Sequence, residues 1–135
     1  MKILIDTNVF LDVALQRAPF AAVSEALLRE CSNEGFPMLC AWHSVSNLWY
    51  ILRKQSGRSI AESVVQGVLK ATIVPRCGSA EFVYAINLNM PDFEDAMQAS
   101  VAHFAEADYI ATRNTTDFAN SPVEARTPGD LLAQI

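Results

Sequence analysis

The chain has 135 residues, of which 51% are hydrophobic and 19% charged, and a formal net charge of −5. This length predicts one domain over residues 1–135, and the composition excludes a disordered or fibrous protein and an overall basic nucleic-acid-binding surface. No apolar run approaches the ~20 residues of a membrane-spanning helix, which favours a soluble protein with no membrane partner. Three cysteines without a C-x-x-C pair favour the reducing cytoplasm.

In the first half of the chain, short apolar runs typical of buried strands alternate with segments of helical spacing. Lys2 to Ile5 predict a first strand, and the apolar residues from Val9 to Leu27 predict a helical region that Pro19 interrupts. Beyond it the pattern predicts a strand over 37–42, helices from Ser44 to Ser56 and over 60–69, and a strand over 72–74.

The second half repeats this alternation. Ser79 is a predicted N-cap of a helix that ends before Pro91, and Asp92 is a predicted N-cap of the next helix, with Asp95 at its third position. Strands separated by helices predict a three-layer α/β/α sandwich with a mostly parallel central sheet. The remaining predicted elements are a strand over 108–112, a polar loop over 114–120, a strand over 123–126 and a short closing helix after Thr127 and Pro128.

Acidic and amide side chains follow two of the predicted strands and open one predicted helix. Ligands of parallel sheets bind beyond the carboxyl ends of the strands, so these side chains are expected to converge. Converging carboxylates would bind Mg²⁺ or Mn²⁺, which would orient water for attack on a phosphodiester. The residues are Asp6 after the first strand, Asn114 and Asp117 after the strand that ends at Thr112, and Asp92, Glu94 and Asp95 at the helix start.

Helix capping is the simpler interpretation of Asp6, Asp92 and Asp95, because Asp often occupies the N-cap region. For Asp6 this interpretation is weaker, since a buried charge after an apolar strand still needs a partner. Cys40 and His43 could pair as nucleophile and base or as metal ligands, but they lack a third ligand at a recognisable spacing, which favours core packing.

Several other side chains allow two interpretations. His103 lies in an apolar helix stripe, which indicates a packed core histidine. Trp42, Trp49 and Tyr50 could stack on bases, although aromatic residues in apolar stretches usually belong to the core. The only basic cluster, which could be a solvated helix end or a contact to a phosphate backbone beside the acidic site, comprises Arg53, Lys54 and Arg58.

Four segments of the chain form a specific combination. They are ILIDTNVFLD from Ile3 to Asp12, SVSNLWYILRK from Ser44 to Lys54, DFEDAMQA from Asp92 to Ala99, and YIATRNTTDF from Tyr109 to Phe118. In order and spacing they resemble the four motifs of PIN-domain ribonucleases, which include VapC-type toxins. The resemblance spans nearly the whole chain.

This resemblance implies a PIN fold, RNA as the substrate, Mg²⁺ or Mn²⁺ as the cofactor, a small antitoxin as a partner, and commonly a homodimer. Asp6 and Asp95 match metal-binding carboxylates of the family, and Thr112 matches a threonine that supports Asp6. Asn47 stands where most members have Glu and Asn114 where many have Asp, so each removes one negative ligand. Asn can still coordinate through its carbonyl oxygen, and Asp92, Glu94 or Asp117 could supply the missing charge.

The sequence therefore predicts a metal-dependent endoribonuclease, with a catalytically weak scaffold that binds RNA or a protein as the alternative. A phosphoacceptor role for Asp6 is disfavoured, because Thr7 follows it instead of an acid and Arg113 instead of a lysine follows the late strand. The predicted catalytic residues are Asp6, Asp95 and Asp117, and the predicted metal ligands are Asp6, Asn47, Asp92, Asp95, Asn114 and Asp117, supported by Thr112.

Overall fold

A four-stranded parallel sheet forms the centre of the protein in the computed structural model, which describes residues 1–135. The order is β2-β1-β3-β4, and every neighbouring pair is parallel. All residues of β1 are fully buried, which explains its uninterrupted apolar sequence. The strands are β1 (Ile3–Ile5), β2 (Met38–Leu39), β3 (Tyr109–Ala111) and β4 (Ala125–Arg126).

Helices cover both faces of this sheet and confirm the predicted three-layer α/β/α sandwich. Ile3 and Ile5 belong to one hydrophobic cluster and Leu4 to a second, because successive side chains of a strand point to opposite faces. No helix is both long and apolar enough to span a membrane. The helices are α1 (Thr7–Ala14), α2 (Ala21–Glu34), α3 (Trp42–Ser56), α4 (Arg58–Ala71), α5 (Ser79–Ile86), α6 (Phe93–Phe104) and α7 (Pro128–Leu132), and a 3₁₀ helix covers Thr115–Phe118.

Three predicted strands are wrong in extent, and the one predicted over 123–126 is reduced to β4. The strand predicted over 37–42 is reduced to β2, because α3 already begins at Trp42. The strand predicted over 72–74 is a single bridge between Leu39 and Ile73. Pro75 lies two residues after Ile73 and has no N–H to donate, so pairing cannot extend beyond it.

Of the predicted helix caps, Asp92 and Thr127 are confirmed and Ser79 is wrong. Asp92 caps α6, with its Oδ1 accepting a hydrogen bond from the Asp95 backbone N–H at 3.1 Å. Gly78, not Ser79, caps α5, and its N–H donates to the Glu81 carboxylate at 2.9 Å. This helix ends at Ile86, well before Pro91, and the predicted polar loop over 114–120 contains the 3₁₀ helix.

A buried ion pair joins α1 to the segment after β3. Asp12 is fully buried, and its Oδ2 lies 2.7 Å from Nε of Arg113, whose Nη2 donates to Oδ1 at 3.2 Å. The Arg113 guanidinium also stacks over the Phe20 ring at 4.1 Å, whereas Arg17 lies farther from Asp12, at 3.7 Å. The pair therefore fixes the chain next to Thr112 and Asn114 against α1.

We expect Asp12→Ala to lower the free energy of unfolding by about 2–3 kcal/mol, because it leaves the largely buried Arg113 cation without its counter-ion. Urea denaturation measures the loss. Arg17→Ala is the matched control and should cost less than about 1 kcal/mol, since Arg17 makes a longer and more exposed contact. Equal losses in the two variants would contradict the anchoring role of Arg113.

Candidate metal centre

An acidic cavity of about 400 Å³ opens beyond the carboxyl ends of β1 and β3. Five carboxylates line it and no lysine, arginine or histidine does. The structure brings all six predicted ligands together here, along with Glu94, which the sequence also predicts to converge on the site, and it adds Asn8. The cavity is lined by Asp6, Thr7, Asn8, Leu11, Asn47, Ile51, Asp92, Glu94, Asp95, Asn114 and Asp117.

Asp6 is the buried member of this set. It follows β1 directly, is only 4% exposed, and both of its carboxylate oxygens accept hydrogen bonds. Gln98 of α6 donates to Oδ1 at 2.7 Å, and the Thr112 hydroxyl after β3 donates to Oδ2 at 2.8 Å. These two donors hold the Asp6 carboxylate in one orientation toward the cavity.

Gln98 is a site residue that the sequence reasoning missed. It is fully buried, it lies three residues after Asp95 on α6, and its Oε1 accepts no hydrogen bond. Residues three apart share a face of a helix, and a polar side chain among small buried residues needs a partner. That combination was the available signal.

The carboxyl group of Asp95 has a strongly raised pKa in this cavity. Burial raises its pKa to about 7, and the carboxylates of Asp6, Asp92, Asp117 and Glu94 add to the rise. Near neutral pH this group therefore exchanges its proton easily. The cavity carries more negative charge than its own side chains can balance.

Asn47 of α3 contacts an acidic residue of α6 across the cavity. Its Nδ2 donates to Glu94 Oε1 at 2.9 Å. Burial and the neighbouring carboxylates of Asp6 and Asp92 raise the pKa of Glu94, while this hydrogen bond opposes the rise. A carboxylate from another helix thus stands beside the position where the resemblance expects Glu.

The donor set fits a hard divalent cation. All of its ligating atoms are carboxylate or amide oxygens, which are the ligands that Mg²⁺ and Mn²⁺ prefer. No three of the acidic side chains stand close enough to form a ready-made coordination shell, so a cation would have to draw them together. Among the exposed members, Asp117 makes no side-chain hydrogen bond and can rotate inward, whereas Asp92 caps α6 and Glu94 is held by Asn47.

Cys40 and His43 lie outside the acidic cavity. Cys40 is buried in the core, and burial raises the pKa of its thiol to about 12. Burial is also the main cause that lowers the pKa of His43, whose Nε2 has no hydrogen-bond partner. The two side chains share no hydrogen bond, so they form no nucleophile–base pair.

Three of the core assignments made from the sequence are wrong. Trp42 and Tyr50 are 64% and 70% exposed on α3, and only Trp49 packs partly against the core. His103 is exposed and stacks on Tyr84, with ring centroids 4.9 Å apart. Arg53, Lys54 and Arg58 are exposed where α3 meets α4.

Comparisons with known proteins agree with the sequence motifs. The model of a family described as "PIN domain" matches residues 2–116. No curated protein matches the sequence.

Solved structures resemble the fold over nearly its full length. VapBC2 from Rickettsia felis, bound to a DNA fragment from its promoter, has a TM-score of 0.70 at 15% identity and covers 94% of this chain and 98% of its own. VapC20 of Mycobacterium tuberculosis, a sarcin–ricin loop cleaving toxin, has 0.71 at 14% and covers 90% and 97%. FitAB bound to the IR36 DNA fragment has 0.71 at 20% and covers 94% and 95%.

We expect Asp95→Asn to stabilise the metal-free protein more near pH 8 than near pH 5. At a pH between 3.8, the ordinary pKa of Asp, and about 7, Asp95 is protonated in the folded state and ionised in the unfolded chain. Its contribution to stability therefore falls as pH rises and is lowest above pH 7. The extra gain near pH 8 should be about 1 kcal/mol, after allowance for solvent screening of a half-exposed group. Urea denaturation in EDTA measures it.

Glu34→Gln is the control, because this exposed carboxylate at the end of α2 contacts no charged partner. The stability of this variant should stay within about 0.5 kcal/mol of wild type near pH 5 and near pH 8. A stability change in Asp95→Asn that is equal near pH 5 and near pH 8 would show that Asp95 ionises normally.

Proposed function

The chain belongs to the PIN-domain family, and on that premise we propose that it is a Mg²⁺- or Mn²⁺-dependent endoribonuclease and the toxin of a toxin–antitoxin pair. The observation that carries the proposal is the acidic cavity, with its buried, oriented Asp6 and no cationic side chain. A structural neighbour known as a sarcin–ricin loop cleaving toxin supports cleavage of RNA. The VapBC2 and FitAB neighbours support a small antitoxin as the partner.

Asp6 and Asp95 are the principal ligands in this proposal, with Asp92, Glu94, Asp117 and the amide oxygens of Asn47 and Asn114 available to complete the shell. A bound Mg²⁺ or Mn²⁺ supplies charge neutralisation at the phosphate and lowers the pKa of water. The protein contributes orientation, because Gln98 and Thr112 fix both oxygens of Asp6.

Hydrolysis adds the oxygen of water to phosphorus and breaks one phosphorus–oxygen ester bond, with protons passing to the leaving oxygen and to solvent. Asp117 lies on the exposed rim of the acidic cavity, on the 3₁₀ helix. From there its carboxylate is placed to orient a water molecule beside the phosphate. Thr112 accepts a hydrogen bond from the Asn114 N–H at 3.1 Å and so holds the start of this segment.

Glu94 restores the charge that Asn47 lacks in this proposal. The 2.9 Å hydrogen bond from Asn47 keeps the Glu94 carboxylate at the cavity. It also uses the amide nitrogen, so the Asn47 carbonyl oxygen remains available as a neutral ligand. The two residues together offer the negative charge that a single Glu on α3 would offer.

A catalytically weak scaffold that binds RNA or an antitoxin is the second candidate. Asn47 and Asn114 favour it, because each provides a neutral ligand where the resemblance expects an acid. Cation binding and RNA cleavage by the purified protein separate the two candidates.

We expect isothermal titration to detect Mn²⁺ binding to the wild-type chain and its loss in Asp6→Asn and Asp95→Asn. Asn at position 6 can still accept from Gln98, so the first variant should fold, as circular dichroism would verify. Glu34→Gln is the matched control and should bind Mn²⁺ like wild type. Wild-type affinity in Asp6→Asn would sink the assignment of the metal centre.

The same variants test catalysis on total RNA with Mn²⁺ and with EDTA. Wild type should cut only with the metal, and Asp6→Asn should lose at least about a hundredfold in rate, because it removes the only fully oriented carboxylate. Retention of metal-dependent cleavage in Asp6→Asn, or cleavage by wild type in EDTA, would contradict the mechanism. Mn²⁺ binding without any cleavage would favour the weak scaffold.

We expect Glu94→Gln to weaken Mn²⁺ binding about tenfold. The double variant Asn47→Glu, Glu94→Gln should recover most of this affinity, because it moves the charge to α3 and keeps a carboxylate–amide hydrogen bond. Glu34→Gln again serves as the control. A double variant no better than Glu94→Gln would show that the two positions do not share one charge.

A further inference from the structure

A basic hollow of about 610 Å³ lies where α3 ends and α4 begins. It is lined by Tyr50, Ile51, Arg53, Lys54, Gly57 and Arg58. Ile51 also lines the acidic cavity, so the two depressions share a wall. A ligand that leaves the acidic cavity along α3 therefore passes into the basic hollow.

The positive charge of this hollow is largely uncompensated. Arg53 and Lys54 are exposed, with no carboxylate within 4.0 Å and no side-chain hydrogen bond. Arg58 contacts Glu62 at 2.8 Å, but both side chains are solvent-accessible and can exchange partners. Four other arginines of the chain are held by carboxylates, namely Arg17, Arg29, Arg113 and Arg126.

The helix geometry relates this charge to the acidic cavity. Asn47, Ile51 and Lys54 follow one another at spacings of four and three residues, which places them along one face of α3. At 1.5 Å per residue, Asn47 and Lys54 lie about 10 Å apart along the axis. This distance suits a phosphate close to the one that the proposed function places at the acidic cavity.

Cations at the end of a helix can also simply compensate its dipole. Dipole compensation requires neither a hollow nor an exposed aromatic ring, and this site has both, since Tyr50 is 70% exposed beside the two free cations. Exposed aromatic rings beside basic side chains are the usual means of binding single-stranded nucleic acid. The charge and the shape thus favour a polyanion that carries planar bases.

We propose that the basic hollow binds the phosphate backbone of single-stranded RNA next to the acidic cavity, through Arg53, Lys54 and Arg58, and that Tyr50 stacks on a base of the same strand. This inference rests on the proposed function, because it makes the hollow part of the substrate path. It commits to RNA as the occupant. A second copy of the chain is the competing occupant that the experiment must exclude.

The test is the fluorescence anisotropy of a short fluorescein-labelled single-stranded RNA, titrated with the full chain at several salt concentrations in Ca²⁺, which also takes oxygen ligands, instead of the Mn²⁺ in which the chain is expected to cut RNA. A gel verifies that the probe stays intact. The Arg53→Ala, Lys54→Ala double variant should raise Kd about tenfold and reduce the slope of log Kd against log salt by about 1.4, the value for two lost phosphate contacts. Tyr50→Ala should raise Kd about fivefold with an unchanged slope.

The Lys70→Ala, Arg76→Ala double variant is the matched control. It also removes two exposed, unpaired cations, but neither lines the hollow, so Kd and the salt slope should remain those of wild type. The Arg53→Lys, Lys54→Arg double variant keeps both charges and should retain binding.

Mn²⁺ titration of the Arg53→Ala, Lys54→Ala variant separates the two proposals. Its Mn²⁺ affinity should equal that of wild type. RNA binding that depends on Arg53 and Lys54 in a chain that binds no Mn²⁺ would uphold the hollow and reject the metal centre. If the wild-type chain binds Mn²⁺ but wild type and variant bind RNA equally well, or neither binds RNA, the proposed RNA path is wrong. It is also wrong if analytical sedimentation shows that the only effect of the Arg53→Ala, Lys54→Ala substitutions is to split a dimer.

Discussion

A single buried carboxylate, that of Asp6, ties the layers of this fold together. An unpaired charge at that depth costs several kcal/mol, so it must have donors, and neither of them is local. Gln98 comes from α6, 92 residues away, and Thr112 comes from the end of β3, 106 residues away. The parallel pairing of β1 with β3 and the packing of α6 on the sheet therefore also build the polar contacts of the site.

The net charge of the chain is located almost entirely in the acidic cavity. Its five carboxylates equal the formal charge of −5, and the remaining ten acidic side chains are matched by ten basic ones. An acidic composition therefore does not describe the outer surface. A divalent cation would offset two of these five charges, and outside the cavity a strand of RNA would meet a surface whose acidic and basic side chains balance, with free cations at the basic hollow.

The features that follow local chemistry were predictable from the sequence. A buried strand that ends at Asp6 and a helix that opens at Asp92 need only apolar runs and capping rules. The elements that pack against a given helix face were not predictable, because sequence periodicity indicates whether that face is apolar or polar but not which element covers it. Trp42 and Tyr50 were therefore assigned to the core although no element covers them, and Gln98 went unnoticed although Asp6 needed a donor.

Three consecutive residues after β3 face three different surroundings. Thr112 turns inward to Asp6, Arg113 turns to Asp12 on α1, and Asn114 turns to the acidic cavity. A conservative substitution at one of the three positions therefore changes one side-chain partner at a time. A one-residue insertion or deletion in this segment has a different consequence, because it would move the hydroxyl, the guanidinium and the amide at once, each toward the partner of a neighbouring residue. The segment should therefore tolerate substitutions far better than changes of length.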